Sequence, residues 1–82
     1  MNGGRPMDPL TYKGFAIEAR TFQIRGSGRW TLGLLIRRHG GVRSFSGTTT
    51  YPTEAAAIAG CRKFGQSIID GAVRDCSVKD LS

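Results

Sequence analysis

The chain holds one histidine and two cysteines in 82 residues, and that shortage excludes most chemistry at the outset. Tetrahedral zinc takes four ligands, whereas Cys61, Cys76 and His39 are three and stand at unrelated spacings. Two cysteines are too few for a disulfide scaffold, so both read as reduced thiols. Cys61 falls on the apolar side of a predicted helix, where a thiol behaves as a small hydrophobe. Cys76 lies near Arg74 and Lys79, which favour its thiolate, but no base accompanies it. His39 stands at a predicted turn tip, and no two carboxylates share a predicted face closely enough to form a dyad. Gly26-Ser27-Gly28 leads into a strand, so it lacks the helix N-terminus that completes a phosphate loop. The inventory reads as a protein that is not an enzyme, with no catalytic residue, cofactor or metal.

Long hydrophobic runs are missing too. Leu34-Leu35-Ile36, the longest run of large apolar residues, falls far short of the roughly 20 that span a bilayer. Met1 to Leu10 carries two glycines, two prolines and no apolar stretch, whereas a secretory signal needs about 7–15 apolar residues. No membrane partner is expected, and the expected location is the cytoplasm.

Acids are scarce where bases are dense. Twelve basic residues face six acids, and from Ala19 to Thr53 the chain has no carboxylate at all. That stretch holds Arg20, Arg25, Arg29, Arg37, Arg38 and Arg43. Such an excess raises the local concentration of anions and favours contact with nucleic acid; it also serves solubility.

What is present is the pattern of one small domain. A chain this short buries only about 60–65% of the surface its unfolded state exposes, enough for a single layered core. Residues 1–11, rich in glycine and proline, read as a flexible terminus, and residues 12–82 as the domain. Phe15, Ile17 and Ala19 alternate with Ala16, Glu18 and Arg20, the period of a half-buried strand. Phe22 and Ile24 continue an alternation to Arg25, or the strand bends near Thr21. Trp30, Leu32, Leu34 and Ile36 share one face of a second, central strand. His39-Gly40-Gly41 closes a hairpin through glycines that accept positive φ. Val42 to Thr48 is the third strand, with Phe45 its inward anchor.

The helix is the clearest element, expected over about residues 53–70. Thr53 is a good N-cap, Glu54 places a carboxylate in the first turn, and Gly71 is a natural C-terminal cap. Ala57, Ile58, Cys61, Phe64, Ile68 and Ile69 form its apolar stripe. Gly65 interrupts that stripe at a propensity cost of about 1 kcal/mol, which implies a close approach to the sheet. Beyond it, Val73, Val78 and Leu81 could dock on the core edge, with one short turn after Ser77.

The predicted fold is therefore α+β: a three-stranded antiparallel sheet followed by one amphipathic helix on one face (β-β-β-α), with a short C-terminal tail. The uncovered face would carry Ala16, Glu18, Arg20, Thr31, Gly33, Leu35, Arg37, Val42, Ser44 and Ser46. Phe15, Trp30, Phe45 and Phe64 are expected inward. Only Tyr12, Phe22 and Tyr51 remain as platforms on which a base could stack.

Two resemblances follow from these residues. Tyr12-Lys13-Gly14-Phe15, Gly28-Arg29-Trp30, Tyr51-Pro52-Thr53-Glu54-Ala55-Ala56-Ala57-Ile58 and Phe64-Gly65-Gln66-Ser67-Ile68-Ile69-Asp70-Gly71 resemble an uncharacterised family of short proteobacterial β-β-β-α proteins. That likeness implies a fold and no activity. A tryptophan strand, a Gly-Gly hairpin, a Ser/Thr-rich strand and Thr-Glu-Ala-Ala opening a helix are more loosely similar to the AP2 and integrase-arm DNA-binding domains. In those families the sheet face opposite the helix enters the major groove. The second likeness implies DNA contacts at Arg20, Thr31, Arg37 and Arg43, although Arg43 shares the parity of Phe45, which assigns it to the covered side.

The leading expectation is a binding module that uses its basic open face and hairpin, with nucleic acid as partner. Arg20, Thr31, Arg37, Arg38 and Arg43 are the candidate contacts. The alternative is a protein-interaction or homodimerisation domain, in which Ala16, Leu35 and Val42 form an apolar patch beside an exposed sheet edge.

Overall fold

A computed structural model describes residues 9–81. Its centre is the antiparallel pairing of β2 (Phe15–Ala19) with β3 (Trp30–Arg38). Ile17 stands opposite Ile36 and Ala19 opposite Leu34, so alternation on both strands delivers one continuous apolar face. β4 (Gly41–Tyr51) pairs with β3 on the far side. The helix α1 (Glu54–Ile69) covers the apolar face. Ile17, Leu34, Ile36, Cys61 and Ile68 are almost fully sealed from solvent between the two layers. The expected α+β architecture is what the chain adopts.

The sheet has one strand more than expected. Leu10–Tyr12 forms a short β1 against β2, with Leu10 opposite Ile17 and Tyr12 opposite Phe15. Leu10 and Thr11 therefore belong to the domain, while residues 1–8 of the expected flexible terminus lie outside the described residues. Three residues are too few to show a period; the signal was the turn. Lys13 and Gly14 both take positive φ, at 51° and 84°, as the tightest hairpin loops require. His39 and Gly40 do the same at the β3–β4 turn, with φ of 53° and 81°. Gly41, expected in that turn, instead opens β4 opposite Arg38.

β4 runs to Tyr51 rather than ending near Thr48. It does so through a bulge: Gly47 faces Leu32 and Thr50 faces Thr31, leaving Thr48 and Thr49 unmatched. Trp30, expected in the core, is only half-buried at the end of the sheet opposite Tyr51. Phe15 is buried, while Phe45 and Phe64 pack half-buried against the core.

The helix is bounded by its own sequence. Thr53 is extended at φ −139° and ψ 160°, and its hydroxyl accepts a hydrogen bond from Ala56 N. At the other end Gly71 takes φ +78°. Gly71 N donates to Ile68 O and Ala72 N to Ser67 O, the paired closure of a Schellman motif. Ala57, Ile58, Cys61, Gly65 and Ile68 are its buried residues. The tail returns to the core with Val78 and Leu81 buried, and a single 3-10 turn spans Lys79–Leu81. No helix among the described residues is long and apolar enough to cross a membrane.

Gly65 seats the helix on the β2–β3 pair. A Cβ there would stand 2.7 Å from Ile17 Cγ2 and 3.0 Å from Leu34 Cδ1, inside real carbon contact distances. Gly65→Ala gains about 1 kcal/mol of helix propensity against an overpacking penalty of about 1–3 kcal/mol. The expected net loss is about 1 kcal/mol in urea denaturation, with Gly65→Val losing more. A midpoint unmoved or raised by Gly65→Ala would contradict this seating.

The β1–β2 turn is tied to the helix end by polar contacts. Lys13 Nζ lies 2.7 Å from Asp70 Oδ1, and Tyr12 Oη donates to Asp70 Oδ2 at 2.9 Å. Hydrogen bonds from Lys13 and then Tyr12 hold the Asp70 carboxyl below its ordinary pKa, and Asp70 raises that of Lys13. The depressed carboxyl stabilises the fold above its unfolded pKa of about 4, and that contribution fades as pH falls through the lower folded value. The raised Lys13 contributes below its unfolded pKa of about 10 and loses its contribution as pH rises through the higher folded one. Asp70→Asn should thus unfold at a lower temperature than the parent at pH 7 and match it once Asp70 is protonated. Thermal melts across pH 2–8 check the sign.

Candidate functional site

With the helix on one side only, the opposite face of the sheet is open. The strand registers arrange it in rows. Ala16, Arg37 and Val42 lie side by side, and Glu18, Leu35 and Ser44 form the next row. Gly33 and Ser46 follow, with Arg20 N donating to Gly33 O at 2.8 Å.

The β2–β3 pairing does not stop where β2 ends. Thr31 N donates to Phe22 O at 3.0 Å, Gln23 bridges Trp30, and Ile24 N donates to Arg29 O at 2.7 Å. No residue is inserted, so the parity of β2 is kept along the hairpin. Phe22 and Ile24 therefore follow Ala16, Glu18 and Arg20 onto the open side by register, not Phe15, Ile17 and Ala19 onto the covered one. Phe22 is 64% exposed. With Arg20, Thr31, Gly33, Leu35 and Ser44 it lines a shallow groove of about 390 Å³. A Cβ at position 33 would stand 3.2 Å from Arg20 O, so a glycine there lets the chain after β2 cross closely.

The nominated arginines divide between the two sides. Arg20 and Arg37 are on the open face, and both are held by Glu18: Arg20 Nη2 at 2.9 Å from Oε2, Arg37 Nε at 3.3 Å from Oε1. Arg29 reaches across to β4, where Nε donates to Thr50 Oγ1 and Nη2 to Thr50 O, each at 2.9 Å. Arg38 is not on this face. Its guanidinium lies 4.7 Å over the Phe15 ring, because even-numbered residues of β3 point towards the helix. Arg43 is opposite Ile36, so by register it too belongs to the helix side, where it is exposed. The open-face set is thus Arg20, Arg29 and Arg37, with Arg38 and Arg43 removed.

Thr31 is on the open face but its oxygens are engaged. Its hydroxyl accepts from Phe22 N at 3.1 Å, and its carbonyl accepts from Thr21 Oγ1 at 2.6 Å. It fixes the backbone that carries Phe22. Arg29 was not nominated from the sequence, and Phe22 only as one of three rings on which a base could stack. The signal was available: the apolar parity switches between Ala19 and Phe22, and an unshifted hairpin turns that switch into a change of face. Tyr12 and Tyr51, the other two ring platforms, are half-buried against the core.

The apolar patch is weaker than its residues imply. Arg37 separates Ala16 from Val42 within their row, leaving Leu35 as the apolar centre. The edge of β4 carries the Thr48–Thr49 bulge, a feature that obstructs edge-to-edge pairing. Among the described residues, no three of His, Cys, Asp and Glu gather as metal ligands.

Comparison with known proteins finds no matching family model, no matching curated protein and no matching solved structure. Both resemblances noted from the sequence rest on their residues alone.

Among the described residues Glu18 is the only acid on this face, and its ion pairs are partly exposed, with side-chain exposures of 22%, 55% and 50% for Glu18, Arg20 and Arg37. Pairs of that kind contribute about 0–1 kcal/mol. Glu18→Gln should change the stability by less than about 1 kcal/mol while adding one unit of positive charge to the open face. A melting curve compared with the parent measures the first quantity; a collapse of the fold would show that Glu18 is structural.

Proposed function

We propose that this protein is a non-enzymatic module that binds nucleic acid through the open face of its sheet. The supporting observation is the charge of that face: Arg20, Arg29 and Arg37 against the single carboxylate of Glu18. Small side chains between them, at Gly33, Ser44 and Ser46, let a polyanion approach the sheet closely. Arginine suits the task, since its planar fork meets phosphate oxygens in pairs and keeps its charge at every physiological pH.

The contacts that hold the guanidiniums in the free protein do not oppose binding. A partly exposed carboxylate pair is weak enough for a phosphate to displace or share. Glu18 keeps Arg20 and Arg37 extended over the face, so less side-chain freedom is lost when phosphate arrives. The looser likeness to sheet-face DNA binders agrees with the choice of face but not with Arg43 as a contact. A self-association reading is served less well, because Arg37 divides the apolar patch and the β4 edge is bulged.

Fluorescence anisotropy with labelled oligonucleotides at 25–200 mM salt tests the reading. Binding should weaken linearly in log–log form, and replacing Arg20, Arg29 or Arg37 by alanine should reduce the slope by about 0.7–0.9 each. Glu18→Gln should bind more tightly than the parent. No binding to any single or double strand at 25 mM salt would sink the proposal.

A further inference from the structure

Phe22 is the most exposed large hydrophobic side chain among the described residues, at 64% against 44% for Val42. Burial of a phenylalanine ring is worth about 1.5–3 kcal/mol, a gain this fold forgoes. The ring is not left out by a slack loop. Phe22 N donates to Thr31 Oγ1, Phe22 O accepts from Thr31 N, and Thr21 Oγ1 donates to Thr31 O. Three hydrogen bonds to one neighbour hold the backbone on both sides of the ring. The exposed surface is therefore presented, from a fixed point of the hairpin.

Its surroundings are those of a stacking platform. Arg20 is two residues back along the hairpin and on the same face. Arg29, just before β3, stands opposite Ile24, two residue pairs beyond Phe22 and Thr31 and on the same face. Gly33, diagonal on the other side, carries no side chain and lies close under Arg20 O, and the groove lined by Arg20, Phe22 and Gly33 measures about 390 Å³. An exposed ring with an arginine on the same face on either side of it along the hairpin, their guanidiniums resting on Glu18 and Thr50 where a phosphate can draw them away, matches an unpaired nucleotide, whose flat base lies between two phosphates. It matches a duplex poorly. There the bases are already stacked on each other, and the ring would press on the charged backbone or have to wedge a step apart.

Resting on the nucleic-acid reading above, we infer that the ligand is single-stranded, with one base stacked on Phe22 and its flanking phosphates on Arg20 and Arg29. Stacking on an aromatic side chain tolerates every base, so this contact confers strand selectivity and little sequence preference.

The test uses the full chain with a labelled ten-nucleotide oligo-dT and a duplex hairpin carrying the same number of phosphates, both at 50 mM salt. The single strand should bind at least about tenfold more tightly. Phe22→Ala should weaken oligo-dT binding by about 5- to 150-fold, the range for loss of one base stack, and leave duplex binding unchanged. Phe22→Trp should restore it, whereas Phe22→Leu, apolar but without a π face, should not. Because Phe22 is exposed, the melting temperatures of these variants should equal that of the parent, which separates lost stacking from lost folding. Equal or better duplex binding that ignores Phe22→Ala would overturn this inference and leave the binding face standing. No binding of either probe would overturn the nucleic-acid reading itself.

Discussion

Everything in this molecule depends on how closely α1 settles onto the β2–β3 pair. The contact is made at Gly65, where the absence of a side chain lets the helix backbone approach Ile17 and Leu34. Around that point Ile36, Cys61 and Ile68 are sealed, and Cys61 Sγ donates to Gly33 O at 3.1 Å. A domain of this size has few other sources of stability. The remaining parts are attached to that contact: β1 through the Lys13-Gly14 turn and the Asp70 cluster, the tail through Val78 and Leu81.

A single helix can cover only one side of a sheet. The consequence is a second face made of the residues of opposite parity, and on it the chain places three arginines, one acid and several very small side chains. Glu18 has a double part there. It lowers the charge of the face by one unit, and it is the shared ion-pair partner of Arg20 and Arg37. Arg29 is held in a similar way by Thr50. The guanidiniums are thus held by weak, solvent-facing partners.

Much of this was legible beforehand, and the parts that were not have a common cause. The helix could be placed to within a residue at each end, because Thr53 and Gly71 act on their immediate neighbours and the apolar stripe spans four turns. β3 was equally clear from four large apolar residues at a period of two. β1 was missed because three residues carry no period, and the Lys13-Gly14 turn was the only local trace of it. Arg38 was assigned by its place beside a hairpin rather than by its parity with Ile36, and Arg43 was kept although its parity with Phe45 argued for the covered side. Phe22 was seen as one of three exposed rings, but its face could not be assigned until the hairpin was known to continue without a shift.

The sequence by itself determined the elements whose causes are local: a capped amphipathic helix, a central apolar strand, glycine turns and a strongly basic charge. Caps, periods and positive φ act within a few residues, so they can be read without knowing what lies across the fold. Tertiary structure decided what depends on pairing between distant residues. It alone decided that β4 bulges at Thr48 and Thr49, that Glu18 reaches both Arg20 and Arg37, and that Phe22 stands on the open face between Arg20 and Arg29. In a sheet each residue has only two sides to choose from, and one inserted residue exchanges them. The side on which a residue stands is therefore fixed by register, a property of two strands together and of neither one alone.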